Sequence, residues 1–105
     1  MNNIRRISSL VKDLLTENAE TRNSDMLLYL KVCQRIMPIV TEMPFPHVLM
    51  FYKTYNLPCF ETVRRSRQRI QAENPELAGD EKVRRKRKER EADFREFAAG
   101  KVTSL

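Results

Sequence analysis

Residues 58–71, PCFETVRRSRQRIQ, constrain the fold more than any other stretch. At 100° per residue, Ile70 returns to within about 20° of Val63. Phe60 and Ser66 flank that line, while Arg65 and Gln68 point away from it. This is the pattern of a helix with one apolar side. Glu73-Asn74-Pro75 stops it, because Pro75 cannot continue a helix and disfavours the α region at Asn74. A turn precedes it, Tyr55-Asn56-Leu57-Pro58. Asn56 can adopt the positive φ that glycine usually supplies in such a turn. Leu57 would plug the space between the flanking helices. Before the turn, His47–Tyr55 reads as a compact apolar helix with Val48, Phe51, Tyr52 and Tyr55 on one side, as core rather than as a base-stacking platform. Two helices, a brief turn and a basic second helix give the outline of a helix-turn-helix DNA reader.

The remaining segments are also helical in pattern. Ile4, Ile7, Val11 and Leu14 recur at 3-4-3 spacing within Asn2–Glu17, with Leu10 and Leu15 widening the stripe. Residues 18–24 form a polar connector in which Asn23 or Ser24 can cap the next helix, and Asp25 suits its first turn. Met26–Met37 is apolar nearly all round, as a central buried helix would be. Pro38–Pro46 holds three of the five prolines and is expected to be extended, with Pro46 at the first position of the following helix. A last helix is expected from Glu81 to Ala99, ended by Gly100. No run alternates in the manner of a strand. The expectation is an all-α chain, a small bundle of four to five helices with a helix-turn-helix core and a basic C-terminal helix. Residues 1–80 would form the domain, and residues 81–105 the basic helix and tail.

Charge points to the partner. The net charge is +6, and 7 basic groups face one acidic group, Glu89, between Lys82 and Arg90. Such a field draws polyanions, nucleic acid first and acidic protein surfaces second. Val83, Phe94 and Phe97 share an apolar stripe, but Arg87 and Arg90 interrupt it. The basic half should therefore project, while Phe94 and Phe97 dock on the domain or on a second copy. Lys82, Arg84, Arg85, Arg87 and Lys88 would grip phosphates, contributing affinity without sequence information. On the arginine helix, Arg64, Arg65 and Arg69 suit guanine edges or positioning contacts, and Gln68 suits adenine. Thr62 suits a phosphate or a thymine methyl. Glu61 can accept from cytosine or offset the helix dipole. Arg67 lies toward the core.

Other chemistries lack their residues. Two glycines are too few for a phosphate-cradling loop. Cys33 and Cys59 sit apart in apolar contexts, as buried thiols would. One histidine, His47, gives no zinc-ligand spacing. No nucleophile–base pair or carboxylate pair stands out, so the chain is expected to be non-enzymatic and to need no cofactor. No apolar run suits a signal peptide or a membrane span, which predicts no membrane partner and a cytoplasmic location.

Leu57, Pro58, Glu61, Thr62, Val63, Arg64, Arg65, Arg67, Ile70 and Gln71, followed by Pro75, Glu76 and Leu77, resemble a motif of short bacteriophage and prophage proteins. The match covers about a fifth of the chain. The resemblance implies a small helix-turn-helix-like protein in a class whose functions are mostly unassigned, placed in a bacterial host cell. Cys59 stands where such sequences often carry serine, so the usual N-cap hydroxyl is missing. Some phage proteins of this size block host defence systems instead. The expected function is therefore sequence-specific binding of double-stranded DNA by a phage regulator, a role compatible with a homodimer. Ile4, Ile7, Val11 and Leu14, or Phe94 and Phe97, would supply the seam. The alternative is an inhibitor that binds a host defence or nucleic-acid-handling protein.

Overall fold

Ile7, Val11, Leu14 and Leu15 fall on one side of a helix, α1 (Asn3–Glu17), and all four are buried. The computed structural model describes residues 3–98, and side chains from 6 to 93. Ile4, Phe94 and Phe97 lie outside the described side chains. The 3-4-3 stripe thus lays α1 on the chain's own core, and Ile7, Val11 and Leu14 are not free to form a seam with a second copy. After α1 the chain tightens into a 3-10 turn, Ala19–Arg22. Thr21 is fully buried there, its hydroxyl 2.6 Å from the Asn18 carbonyl and 3.2 Å from the Leu14 carbonyl. A buried hydroxyl needs such a partner, and this one closes the end of α1.

Helix α2 (Asp25–Ile36) is capped by Ser24, whose Oγ accepts from the Leu27 amide at 3.2 Å. Leu28, Tyr29, Val32 and Cys33 are buried at its centre, with Leu30 and Ile36 packed at the margin. Met37 ends the helix. Residues 38–46 differ from the extended connector expected. Pro38–Glu42 winds into a 3-10 turn that drives Val40 into the core. Helix α3 (Phe45–Phe51) places Pro46 inside its first turn. It is shorter than the apolar run suggests. Val48 is its only buried residue, while Leu49, Met50 and Phe51 are exposed. Phe51 therefore lies outside the core it was expected to join. Tyr52 and Tyr55 pack at the core margin from the segment after α3, and the Tyr55 hydroxyl meets His47 Nε2 at 2.7 Å.

Asn56 takes φ 56°, among the described residues the one non-glycine in the left-handed region. That reverses the chain and sends Leu57 inward, where it is buried. Tyr29 anchors the approach to the next helix. Its ring lies 5.6 Å from that of Phe60 and 6.2 Å from that of Phe45, and its hydroxyl donates to the Pro58 carbonyl at 2.8 Å. Helix α4 (Phe60–Glu73) then buries Val63, Ser66, Arg67 and Ile70. Its main neighbours are α1 and α2, so the bundle's centre is α1, α2 and α4.

Cys59 occupies the N-cap of α4 without a side-chain bond to the helix backbone. Its Sγ lies 3.1 Å from the Thr62 hydroxyl, which holds the thiol below its usual range. Unlike Cys33, which is buried and pushed up to about 11, Cys59 is only half-buried. A serine there can accept from a first-turn amide. Cys59→Ser is expected to raise stability by about 1 kcal/mol, read as a higher urea midpoint with an unchanged slope.

After α4, a 3-10 turn at Pro75–Leu77 buries Leu77, and helix α5 (Glu81–Ala98) comes next. The described residues are all-helical, without a strand. No helix among them is long and apolar enough to cross a membrane.

Candidate nucleic-acid interface

The position of α5 is set at three points. Gly79 passes so close to the preceding turn that a Cβ there would lie 2.8 Å from the Arg22 carbonyl. This approach lets Asn23 hold Asp80 twice. Asn23 Oδ1 accepts from the Asp80 amide at 2.8 Å, and its Nδ2 donates to Asp80 Oδ2 at 3.2 Å. Asn23 is thus a clamp on α5, while capping of α2 falls to Ser24. About two turns further on, Arg87 reaches inward. Its Nη1 donates to the Arg22 carbonyl at 3.0 Å, and its Nη2 lies 3.8 Å from Asp25 Oδ1.

Asp25 therefore serves two guanidinium groups. Arg67, only 6% exposed, donates from Nε to Asp25 Oδ1 at 2.5 Å and from Nη2 to Oδ2 at 3.1 Å. Arg67 Nη1 also bonds Gln71 Oε1 at 3.1 Å, and Gln71 Nε2 bonds the Leu77 carbonyl at 2.9 Å. Burial, and then the neighbouring Arg67, push the Arg87 guanidinium below its ordinary value. Two near-buried cations share one carboxylate, so this corner keeps a positive excess.

These constraints change what the sequence suggested for Arg87. It does not project with the basic cluster but ties α5 down. Its stem fills the stripe position where an apolar residue was missing, and its head finds Asp25. The other cluster members, Lys82, Arg84, Arg85, Lys86, Lys88 and Arg90, are exposed.

Along α4, the expected outward face is only partly free. Arg65 is exposed, but its Nε donates to Glu61 Oε2 at 3.0 Å. Arg64 grips the same carboxylate with two bonds, 2.9 and 2.6 Å. Those bonds from Arg64, reinforced by Arg65, pull Glu61 down to about 2, and Glu61 in turn raises Arg64. Arg69 is exposed and donates to Ser8 of α1. The Thr62 hydroxyl faces the Cys59 thiol. Gln68 does not point away from the body as expected; it is half-buried, beside α5.

Helix α5 crosses next to α4 and leaves a groove on each side. One, of about 540 Å³, is bounded by Arg64 from α4 and by Lys86, Arg87 and Arg90 from α5. The other, of about 500 Å³, is bounded by Gln68 and Gln71 from α4 and by Arg84, Arg87 and Lys88 from α5. The basic groups of the two helices, distant in the chain, thus form one surface. Glu91 adds an acidic group to the second groove.

Asp25, central to this arrangement, was not visible as such in the sequence, and neither was Tyr29, which anchors the approach to α4. The signal for Asp25 was an arginine on the inward side of α4, since a buried guanidinium requires a carboxylate. Nothing in the local pattern marked Tyr29. Among the described residues no cluster of metal-binding side chains occurs. Comparisons with family models, with curated proteins and with solved structures found no match to this chain.

Proposed function

We propose that this protein binds double-stranded DNA without catalysis, through the basic surface that α4 and α5 form together, and acts as a small phage regulator. The observation that carries the reading is the convergence of Arg64 with Lys86 and Arg90 in one groove, and of Gln68 with Arg84 and Lys88 in the other. A surface of that charge, rich in arginine, matches the phosphate backbone of a duplex. Lys82, Arg84 and Lys88 contact phosphates, and Arg85 adds to the basic surface beside them. Arg65 and Arg69 extend the surface along α4. In this reading α3, the turn at Asn56 and α4 form a helix-turn-helix unit, with Leu57 as its buried plug. A homodimer on paired half-sites fits such a unit. The phage setting rests on the motif around Arg64 and Arg65.

Glu61 bears on how strongly the surface binds. Its carboxylate occupies Arg64 and Arg65 much as a phosphate would. Because its folded-state value is depressed, the ion pair contributes above the free carboxylate value of about 4.3. It is lost as pH falls through about 2. It is therefore intact across the working pH range. Glu61→Gln is expected to raise duplex affinity severalfold near neutral pH and to steepen the salt dependence by about one to two phosphate equivalents. Fluorescence anisotropy at several salt concentrations reads both. Unchanged affinity and slope would mean that Arg64 and Arg65 do not meet DNA.

The exposed Leu49, Met50 and Phe51 on α3 favour a second reading, an inhibitor that docks on a host defence or nucleic-acid-handling protein. Replacing Arg65 and Gln68 together weakens DNA binding under the first reading. Under the second it leaves any DNA affinity unchanged and weakens a protein complex.

A further inference from the structure

We infer that α5, rather than α4, enters the major groove and reads base edges, an inference that rests on the DNA-binding reading above. Helical geometry separates the sides of α5. Val83 and Arg87 lie one turn apart and face the body, both half-buried. At 100° per residue the opposite crest is Arg85 and Ala92, with Lys88 and Glu89 at its shoulders. All four are exposed, and the Arg85 side chain is 67% so. Its contact with Glu81, 3.4 Å and open to solvent, is too weak to hold it.

The flanks supply the second argument. Lys86, with Arg90 nearer the body, borders one groove, and Arg84 and Lys88 border the other together with the single acidic Glu91. A helix seated in a major groove meets a phosphate strand on each side, and a groove about 12 Å wide accepts one helix. Cations along both flanks of one helix are complementary to that pair of strands. The crest carries groups that distinguish bases. Arginine recognises guanine, glutamate accepts from cytosine, and a small methyl meets thymine.

Helix α4 is less able to do this. Arg64 holds Glu61 with two bonds, Arg69 is joined to Ser8, and Gln68 is half-buried beside α5, which leaves Arg65, 75% exposed, as the freest of them. It lies on α1 and α2 as part of the bundle's centre. Its exposed arginines, Arg65 and Arg69, then meet the backbone beside the groove that α5 occupies.

Selection from a random duplex library tests this with three proteins, each checked for folding by its thermal transition. They are the wild type, a crest variant carrying Arg85→Ala and Glu89→Ala, and an α4 variant carrying Arg65→Ala and Gln68→Ala. The wild type should enrich a motif. The crest variant should lose about tenfold or more of its preference for that motif over a scrambled duplex, while still binding both at low salt. The α4 variant should bind more weakly but enrich the same motif. A motif altered by the α4 variant, or unaltered by the crest variant, would overturn the inference. So would saturable wild-type binding with no enriched motif, which leaves the DNA-binding reading standing. No wild-type binding even at low salt removes that reading and the inference with it.

Discussion

Asp25→Ala is expected to destabilise the protein by about 3 kcal/mol, lowering Tm by about 10–20 °C. The Arg67 side chain is 6% exposed and the Arg87 side chain 17%, and Asp25 is the carboxylate that both face. Removing it leaves two desolvated guanidinium groups beside each other, and an unpaired buried charge is among the largest single penalties a fold can carry. The sign of the effect is set by what remains rather than by what is lost. Arg67→Met, which removes a cation and keeps the stem's packing, should cost less. It should also shrink the effect of Asp25→Ala in a double-mutant cycle, because Arg67 is then no longer stranded. Additive effects would mean that the pair does not act as a unit. The same change reaches the candidate interface, since Asp25 lies under both grooves through Arg87. Asp25→Ala protein that remains folded at low temperature should therefore bind duplex DNA less well than its charge suggests.

Replacing Lys82, Arg84, Arg85, Lys86 and Lys88 together by glutamine is expected to lower duplex affinity by about a hundredfold or more at moderate salt. These five are exposed and lie within two turns of one helix. Their mutual repulsion disfavours the helix in the absence of an anion. Stability should therefore stay level or rise slightly while binding collapses. That opposition separates an interface from a structural role. A fall in Tm alongside the loss of binding would assign the cluster to folding, and unchanged binding would remove it from the interface. Arg87 is left out of this variant because it holds α5 in place.

Much of the bundle was legible because its signals are local. Ile7, Val11 and Leu14 announce the buried side of α1. Asn23 or Ser24 announces the start of α2, which the structure assigns to Ser24, and Asn56 announces the reversal before α4. Each depends on neighbours a few residues away. The failures come from long-range competition. Phe51 shares its helix period with Val48, yet at the last position of α3 it stays exposed. The prolines of residues 38–46 suggested extended chain, but the burial of Val40 favours a tight turn. Arg87 resembles its basic neighbours in sequence, and only the approach of Gly79 to Arg22 brings it to Asp25. The candidate interface shows the same division. Its basic residues could be named from the chain, but their union across two grooves depends on the packing of α5.

If the α4–α5 surface binds duplex DNA by its phosphates, wild-type binding must weaken steeply as salt rises. A labelled random duplex would be titrated by anisotropy between 50 and 200 mM salt, the interval over which phosphate contacts register strongly, at about −0.9 in log–log slope per contact. With Arg65, Lys82, Arg84, Lys86, Lys88 and Arg90 engaged on phosphates, binding should be saturable with a slope of about −5. Absence of saturable binding at the lowest salt, or a slope near zero, would contradict it.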